Sequence, residues 1–306
     1  MSELRNKPEN TPFKQQQLPA FQPIYTAKSS ALIFLIAGIL FYAFGFPIYV
    51  VNSNVVEVSK QYDNICEIGK ECTFTIKIDE KIPEPVFFYY KLNNFYQNHR
   101  LFVRSKSYSQ LRNAKKILPK ELDFCKPALH NKDFIGYYNE SKAKELDPDD
   151  VAWPCGMIAR SVFNDTFRIE GYDIDEDDIV YSNDKRMWVN ENVDKQWRDI
   201  DHHLIVWMKI SPYSNFRKLW GVIKKDVEKG ELTVVVDNKY DVDGWDGEKW
   251  IVLSNSSAFG GKNPNLGIIL ISAGTVALMF ALIFTVTGVV YKHSYENEDP
   301  RSWRYT

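Results

Sequence analysis

The sequence carries almost no net charge: 38 Lys and Arg against 40 Asp and Glu in 306 residues leave −2. A chain that holds nucleic acid through bulk charge needs a basic excess to displace counterions, so no nucleic-acid partner is expected. Catalytic signatures are missing too. No G-x-x-x-x-G-K-[ST] occurs, and the nearest string, Gly260-Gly261-Lys262-Asn263, lacks both the first glycine and the hydroxyl that would meet magnesium. G-x-S-x-G and H-E-x-x-H are absent. Histidine is scarce, and the one adjacent pair, His202-His203, would point to opposite faces of a strand and so could not share an ion. Asp173, Asp175 and Asp177, and again Asp241, Asp243 and Asp246, are spaced like calcium loops without the full ligand pattern. They read as solvated acidic turns. No catalytic residue, metal or cofactor is expected.

Charge is wholly missing from two long runs, Ser29 to Val56 and Asn263 to Tyr291. About 20 apolar residues at ~1.5 Å each cross a hydrocarbon layer ~30 Å thick, so both runs read as transmembrane helices. A cleaved signal peptide fits the first run poorly, because a long polar stretch precedes it and its apolar length exceeds an h-region. Lys14 and Lys28, with Arg5 and Lys7 further out, precede that run, while Glu57 is the first charge after it. Basic flanks stay on the cytosolic side, which puts both termini there. The expected plan is a cytosolic tail (1–28), a span (29–51), a lumenal or extracellular ectodomain (52–264), a second span (265–291) and a short cytosolic tail (292–306).

All four cysteines, Cys66, Cys72, Cys125 and Cys155, fall in the intervening segment, and so do all three N-x-S/T sequons, at Asn139, Asn164 and Asn255. Their joint confinement suits an oxidising compartment reached by the glycosylation machinery. Four cysteines allow three pairings. Proximity in sequence favours Cys66 with Cys72 and Cys125 with Cys155, and the close C-x-x-C spacing of a zinc site is absent.

Within this segment the runs 73–78 and 86–92 read as strands around Pro83 and Pro85. Further strands are expected at 168–169, 179–181, 204–210, 232–237 and 250–253, with a helix near 213–222 and loops with short helices between about 100 and 150. The fold class is therefore a membrane protein whose two helices flank a disulfide-bonded, mainly antiparallel β ectodomain, sandwich-like, with loop and short-helix insertions. Lys91 to Lys132 is strongly basic and Asp133 to Asp201 strongly acidic. Mutual neutralisation across a surface is the simpler expectation, and a basic face toward anionic headgroups or an acidic partner is the alternative.

Small residues recur every seven positions in both spans: Ala31, Gly38 and Gly45, then Gly267, Gly274, Ala281 and Gly288. Seven residues make about two helical turns, so each set forms a smooth stripe suited to helix–helix contact in lipid. Pro47 should kink the outer end of the first span against the carbonyl of Ala43. No ionisable group lies in either span, which argues against a proton relay or a charged ion path.

Several strings taken together resemble one family over nearly the whole chain. They are Phe13-Lys14-Gln15-Gln16-Gln17-Leu18-Pro19-Ala20-Phe21-Gln22-Pro23, Tyr89-Tyr90-Lys91-Leu92-Asn93-Asn94-Phe95-Tyr96-Gln97-Asn98-His99-Arg100, Pro154-Cys155-Gly156-Met157-Ile158-Ala159, Ser161-Val162-Phe163-Asn164-Asp165, Phe216-Arg217-Lys218-Leu219-Trp220 and Gly260-Gly261-Lys262-Asn263. The sequence resembles the non-catalytic β subunits of type-IV P-type ATPases, the phospholipid flippases: the cell-cycle-control-protein-50 or ligand-effect-modulator family. The resemblance implies an accessory subunit needed for folding, endoplasmic-reticulum exit and the catalytic cycle of an ATPase that moves lipid from the outer to the cytosolic leaflet. It implies a heterodimer with that ATPase among membrane lipids, residing in the Golgi, endosomes or plasma membrane after leaving the reticulum. Phe13, Gln16, Leu18, Pro19, Phe21 and Pro23 would contact the partner on the cytosolic side, Asn98, His99 and Arg100 its outer loops, and Gly274 and Ala281 its helices. The aspartyl-phosphorylation string D-K-T-G is absent. Many members carry extra cysteines near the first pair, where this chain has only Cys66 and Cys72, and the C-terminal end keeps a likeness only in Ser302-Trp303-Arg304. Two rivals share the layout. A two-span ligand-gated channel subunit would need a polar pore, and a cell-surface receptor would need a longer signalling tail.

Overall fold

An uninterrupted apolar run leaves a backbone in lipid one way to satisfy its polar groups, the α-helix, and two such helices form. The computed structural model describes residues 9–15, 18, 25–112, 117, 119–136, 146–188 and 193–290. It has two units, one made of 1–50 with 264–306 and the other of 51–263.

In the first unit, α1 spans Ala27–Ser53. Its start is fixed by a reciprocal cap, the Thr26 N–H donating to Ser29 Oγ at 2.9 Å and the Ser29 N–H to Thr26 Oγ1 at 3.2 Å. The helix continues through Pro47. The returning span covers Asn265–Val290. Each small stripe faces the other span and receives its bulky side chains: a Cβ on Gly38 would lie 2.7 Å from Leu278, one on Gly45 2.9 Å from Leu270, and one on Gly274 2.9 Å from the Tyr42 ring. Tyr42 Oη and Thr275 Oγ1 are 2.8 Å apart, and Phe34 stacks on Phe284 with ring centroids at 5.6 Å. Gly274 and Ala281 are both buried. Each stripe expected to receive a partner's helix thus packs against the other span of the same chain.

Among the described residues the second unit holds seven strands: β1 (Glu57–Gln61), β2 (Lys70–Ile78), β3 (Val86–Asn93), β4 (Thr166–Ile169), β5 (Phe216–Ile223), β6 (Gly230–Asn238) and β7 (Glu248–Ser254). They form a four-stranded sheet in the order β1-β7-β3-β5 and a three-stranded sheet in the order β2-β6-β4, with every pairing antiparallel. Alternation sends Val86, Phe88, Tyr90 and Leu92 of β3 and Leu232, Val234 and Val236 of β6 into one core. Contacts between the sheets, such as Phe88 on Phe167 at 5.2 Å, make it a sandwich. Short helices decorate it, α2 (Arg100–Arg104), α3 (Tyr108–Leu111), α4 (Pro119–Leu122), α5 (Met157–Arg160), α6 (Ser182–Met187) and α7 (His202–Met208), and the returning span is α8.

Three local expectations are corrected. The 204–210 run is helical through Met208, because its five consecutive apolar residues carry no period and Asp201 caps the turn, its carboxylate accepting the Leu204 N–H at 2.7 Å. His202 and His203 consequently sit on α7, not on a strand. The segment 213–222 contributes β5 in place of a helix: Phe216, Lys218, Trp220 and Val222 alternate inward while β5 pairs with β3. Ile179 ends a 3-10 turn, Asp177–Ile179, and residues 180–181 follow it without forming a strand.

Candidate functional site

Where β3 ends, Asn94 adopts a left-handed conformation (φ 64°), which asparagine tolerates better than most residues. Its N–H donates to Asn215 Oδ1 at 3.0 Å, and its side-chain amide donates to the carbonyls of Trp245 at 2.9 Å and Asp246 at 3.2 Å. Gln97 is fully buried and accepts the Ser211 N–H at 2.9 Å, and Asn98 donates to the Pro212 carbonyl at 2.7 Å. These amides tie three loops together. Of the trio expected at the partner, Asn98 also braces a loop through this bond, and Asn98, His99 and Arg100 are all exposed.

Beside them opens a cavity of about 380 Å³ whose walls include Leu101, Phe102, Arg104, Phe124 and Met157. Leu101 is 70% exposed, and the Arg104 guanidinium lies 4.4 Å over the Phe124 ring. Among the described residues one ion pair, Lys132 with Asp149 at 2.8 Å, joins the basic segment to the acidic one.

The second cluster surrounds a disulfide. Cys125 and Cys155 are bonded and buried, and Cys66 pairs with Cys72 at the start of β2. Gln110 brackets the buried bridge, donating to the Ala152 carbonyl and accepting the Cys155 N–H, both at 2.9 Å. Ser105 Oγ accepts the Met157 N–H at 2.8 Å. Gly156 has φ 108°, and a Cβ there would stand 2.1 Å from the Ser105 carbonyl oxygen, so only glycine fits. Trp197 and Trp207 donate their indole N–H groups to the Pro154 and Ile158 carbonyls at 2.7 and 2.9 Å. The Pro154 to Ala159 string is thus a structural hub.

A third cluster has its centre at Asp165, which is fully buried. Its carboxylate accepts the Tyr62 hydroxyl at 2.7 Å, the Lys249 ammonium at 2.9 Å and the N–H groups of Lys239 and Tyr240 at 2.6 and 2.5 Å. Lys249 also donates to Asn238 Oδ1 and to the Tyr240 carbonyl, and Asn238 donates to the Cys66 carbonyl at 2.9 Å. Burial first, then the Asp165 charge, pushes the Tyr62 phenol well above its usual range. Nearby, Lys218 reaches under α7 to donate to the Val206 and Lys209 carbonyls, satisfying the helix C-terminus, and burial lowers its ammonium to about 8. Trp220, two residues on, stacks on His203 at 3.9 Å, and His203 Nε2 lies 2.8 Å from Glu176 Oε2. The two acidic runs form ordinary turns, Asp175 accepting the Asp177 N–H and Asp241 the Asp243 N–H, each at 2.9 Å. Among the described residues no group of three or more His, Cys, Asp or Glu side chains could hold a metal.

The strings around Asn94 to Asn98, Pro154 to Asp165 and Phe216 to Trp220 thus supply bracing contacts, and they follow one another in a fixed order along the chain. Residues 14–294 match the model of the LEM3 (ligand-effect modulator 3) family / CDC50 family. The chain belongs to this family. It is similar to ALA-interacting subunit 3 of Arabidopsis thaliana, 30% identical over 97% of this chain and 90% of the relative. It is also similar to cell cycle control protein 50A of Mus musculus, at 29% over 96% and 92% of the two chains. A third relative is the phospholipid-transporting ATPase accessory subunit CRF1 of Saccharomyces cerevisiae, at 25% over 95% and 88%.

For this CDC50-family chain the remaining expected residues divide as follows. In the tail, residues 9–15 form a turn, with Phe13 75% exposed and Leu18 56% exposed. Gln16, Pro19, Phe21 and Pro23, like the Asn139 sequon, lie outside the described residues. Asn164 is partly buried, and Asn255 Oδ1 accepts the Val56 N–H at 2.9 Å. Lys249 and Asp165 escaped the sequence reading. The available signal was a lysine at an inward position of the alternating strand 248–254 and an aspartate closing an apolar string.

Proposed function

We propose that this chain is the accessory subunit of a type-IV P-type ATPase that moves phospholipid from the outer to the cytosolic leaflet. The observation that carries the reading is the family match across 14–294, which takes in the tail string, both membrane helices and the braced ectodomain together. A relative matched over most of its length is named as a phospholipid-transporting ATPase accessory subunit, and another as an ALA-interacting subunit. The role is non-catalytic: the chain folds beside the ATPase, accompanies it out of the endoplasmic reticulum and supports its cycle. Both termini face the cytosol, with boundaries at 1–28, 29–51, 52–264, 265–291 and 292–306, and the pair serves in the Golgi, endosomes or plasma membrane. Glycans sit on Asn139, Asn164 and Asn255. The tail from Phe13 to Pro23 and the exposed residues Asn98, His99 and Arg100 make direct contacts with the partner. Gly274 and Ala281 act indirectly, by holding the two spans together.

The physical design suits a scaffold. Interlocked loops, two disulfides and a buried ion pair fix the ectodomain surface before it meets anything, which lowers the ordering cost of association. The channel reading finds no support in the family match. Affinity purification from native membrane in mild detergent tests the proposal. A P-type ATPase co-eluting in equal amount is the expected result, and the chain eluting as a trimer without one would overturn it.

A further inference from the structure

Thr11 precedes Pro12, and this is the one Ser/Thr-Pro pair in 1–28 and 292–306. Residues 11 to 14 are all exposed. Thr11 Oγ1 accepts the Lys14 N–H at 3.3 Å, the Gln15 N–H reaches the Thr11 carbonyl at 2.9 Å, and the Lys14 ammonium meets Glu9 Oε2 at 2.7 Å. A hydroxyl, a proline, a carboxylate and an ammonium are thereby gathered into one exposed turn. Lys14 is also the only charged residue in the string from Phe13 to Pro23.

We propose that Thr11 is a phosphorylation site for a proline-directed protein kinase, and that the phosphate weakens the tail's hold on the ATPase. The inference rests on the proposed cytosolic tail and its contact with the partner. Thr11 Oγ attacks the γ-phosphorus of ATP; the Oγ–P bond forms as the bond from that phosphorus to the β,γ-bridging oxygen breaks, ADP leaves, and the hydroxyl proton passes to the kinase's base. Pro12 suits an enzyme pocket that offers no acceptor for a backbone N–H at that position. The product carries a charge of about −2 beside Glu9. Unmodified, Glu9 and Lys14 cancel over residues 9–23; modified, that stretch carries about −2, and Lys14 is engaged by two anions in place of one. The string then reaches the partner with its single cation drawn into a net-negative cluster and with its capped turn disturbed, since an ester oxygen is a poorer acceptor for the Lys14 N–H.

The test uses sealed native-membrane vesicles, cytosolic face outward, containing the full-length chain with its ATPase. Purified proline-directed kinase and γ-labelled ATP are added before, and in a parallel sample after, mild detergent. Label on Thr11 in sealed vesicles is expected, none in Thr11→Val, and labelling at least about tenfold slower in Pro12→Ala. The labelled chain should be recovered on the immobilised ATPase about tenfold less than the unlabelled chain. Absence of label in both samples, or equal label in Thr11→Val, would overturn the site. Label only after detergent would overturn the proposal through its topology, while leaving the kinase chemistry intact. Equal recovery of labelled and unlabelled chain would overturn the weakening.

Discussion

The Lys249 ammonium lies 2.9 Å from the Asp165 carboxylate, with both side chains withdrawn from solvent and 84 residues apart in sequence. Breaking such a pair strands a charge in the core at about 3–5 kcal/mol. Asp165 also holds the Tyr62 hydroxyl and two backbone N–H groups, so its loss should be the graver one. Asp165→Leu is expected to unfold at lower denaturant than Lys249→Met, and both below the parent, in urea titrations of the detergent-purified chain. The reverse order would mean that the carboxylate is not the hub.

The two bridges close loops of different length, with sequence separations of 30 for Cys125–Cys155 and 6 for Cys66–Cys72. In the chain-entropy model they contribute about 3.7 and about 2.2 kcal/mol. Cys155→Ser should therefore retain the chain in the endoplasmic reticulum more completely than Cys72→Ser. The ratio of immature to mature glycan on the two variants, in pulse-chase, reads the difference.

Close approach of the spans depends on Gly38, Gly45 and Gly274. Gly274→Leu is expected to separate them, since its side chain would enter the space of Tyr42 and Phe41. Tyr42→Phe removes only the hydrogen bond to Thr275, worth about 0.6 kcal/mol in a membrane. Disulfide trapping between cysteines introduced at facing positions of α1 and α8 should fail in the first variant and persist in the second.

Burial holds Lys218 at about 8 in the folded chain, against an ordinary value near 10.5. Between those values the unfolded chain binds a proton that the native chain does not, so stability on this account rises with pH from about 8 to about 10 by up to roughly 3 kcal/mol. Above about 10 the raised phenols of Tyr62 and Tyr90 act in the opposite sense, because the native state keeps protons that the unfolded chain has lost. Denaturant midpoints across pH 7 to 10 should climb in the parent and stay flatter in Lys218→Met.

The sequence made the spans legible because a run without charge has one stable outcome in a bilayer. Strands β2, β3, β6 and β7 were legible because one face of each is buried and the alternation survives. The stretches 204–210 and 213–222 exchanged identities: Leu204 to Met208 is apolar at every position, and the cap that decides it lies just outside the run. Asn98 sits in a string that reads as a surface signature, yet its amide is spent on Pro212, 114 residues away. Long-range hydrogen bonds leave no local period, so the braces around Asn94, Gln97 and Asp165 needed coordinates to be seen.

Because each glycine stripe is turned toward the other span, the surface of the spans that meets its surroundings is made of bulky groups such as Leu32, Ile36, Phe44 and Leu282. Lipid tails solvate these side chains as well as another protein's helix would, so their burial supplies little net attraction. The bilayer-embedded part can then drift in sequence from one relative to another with small penalty, provided its outline stays apolar. Discrimination between one ATPase and another falls to the segments in water, where a misplaced charge or an unfilled hydrogen bond is punished.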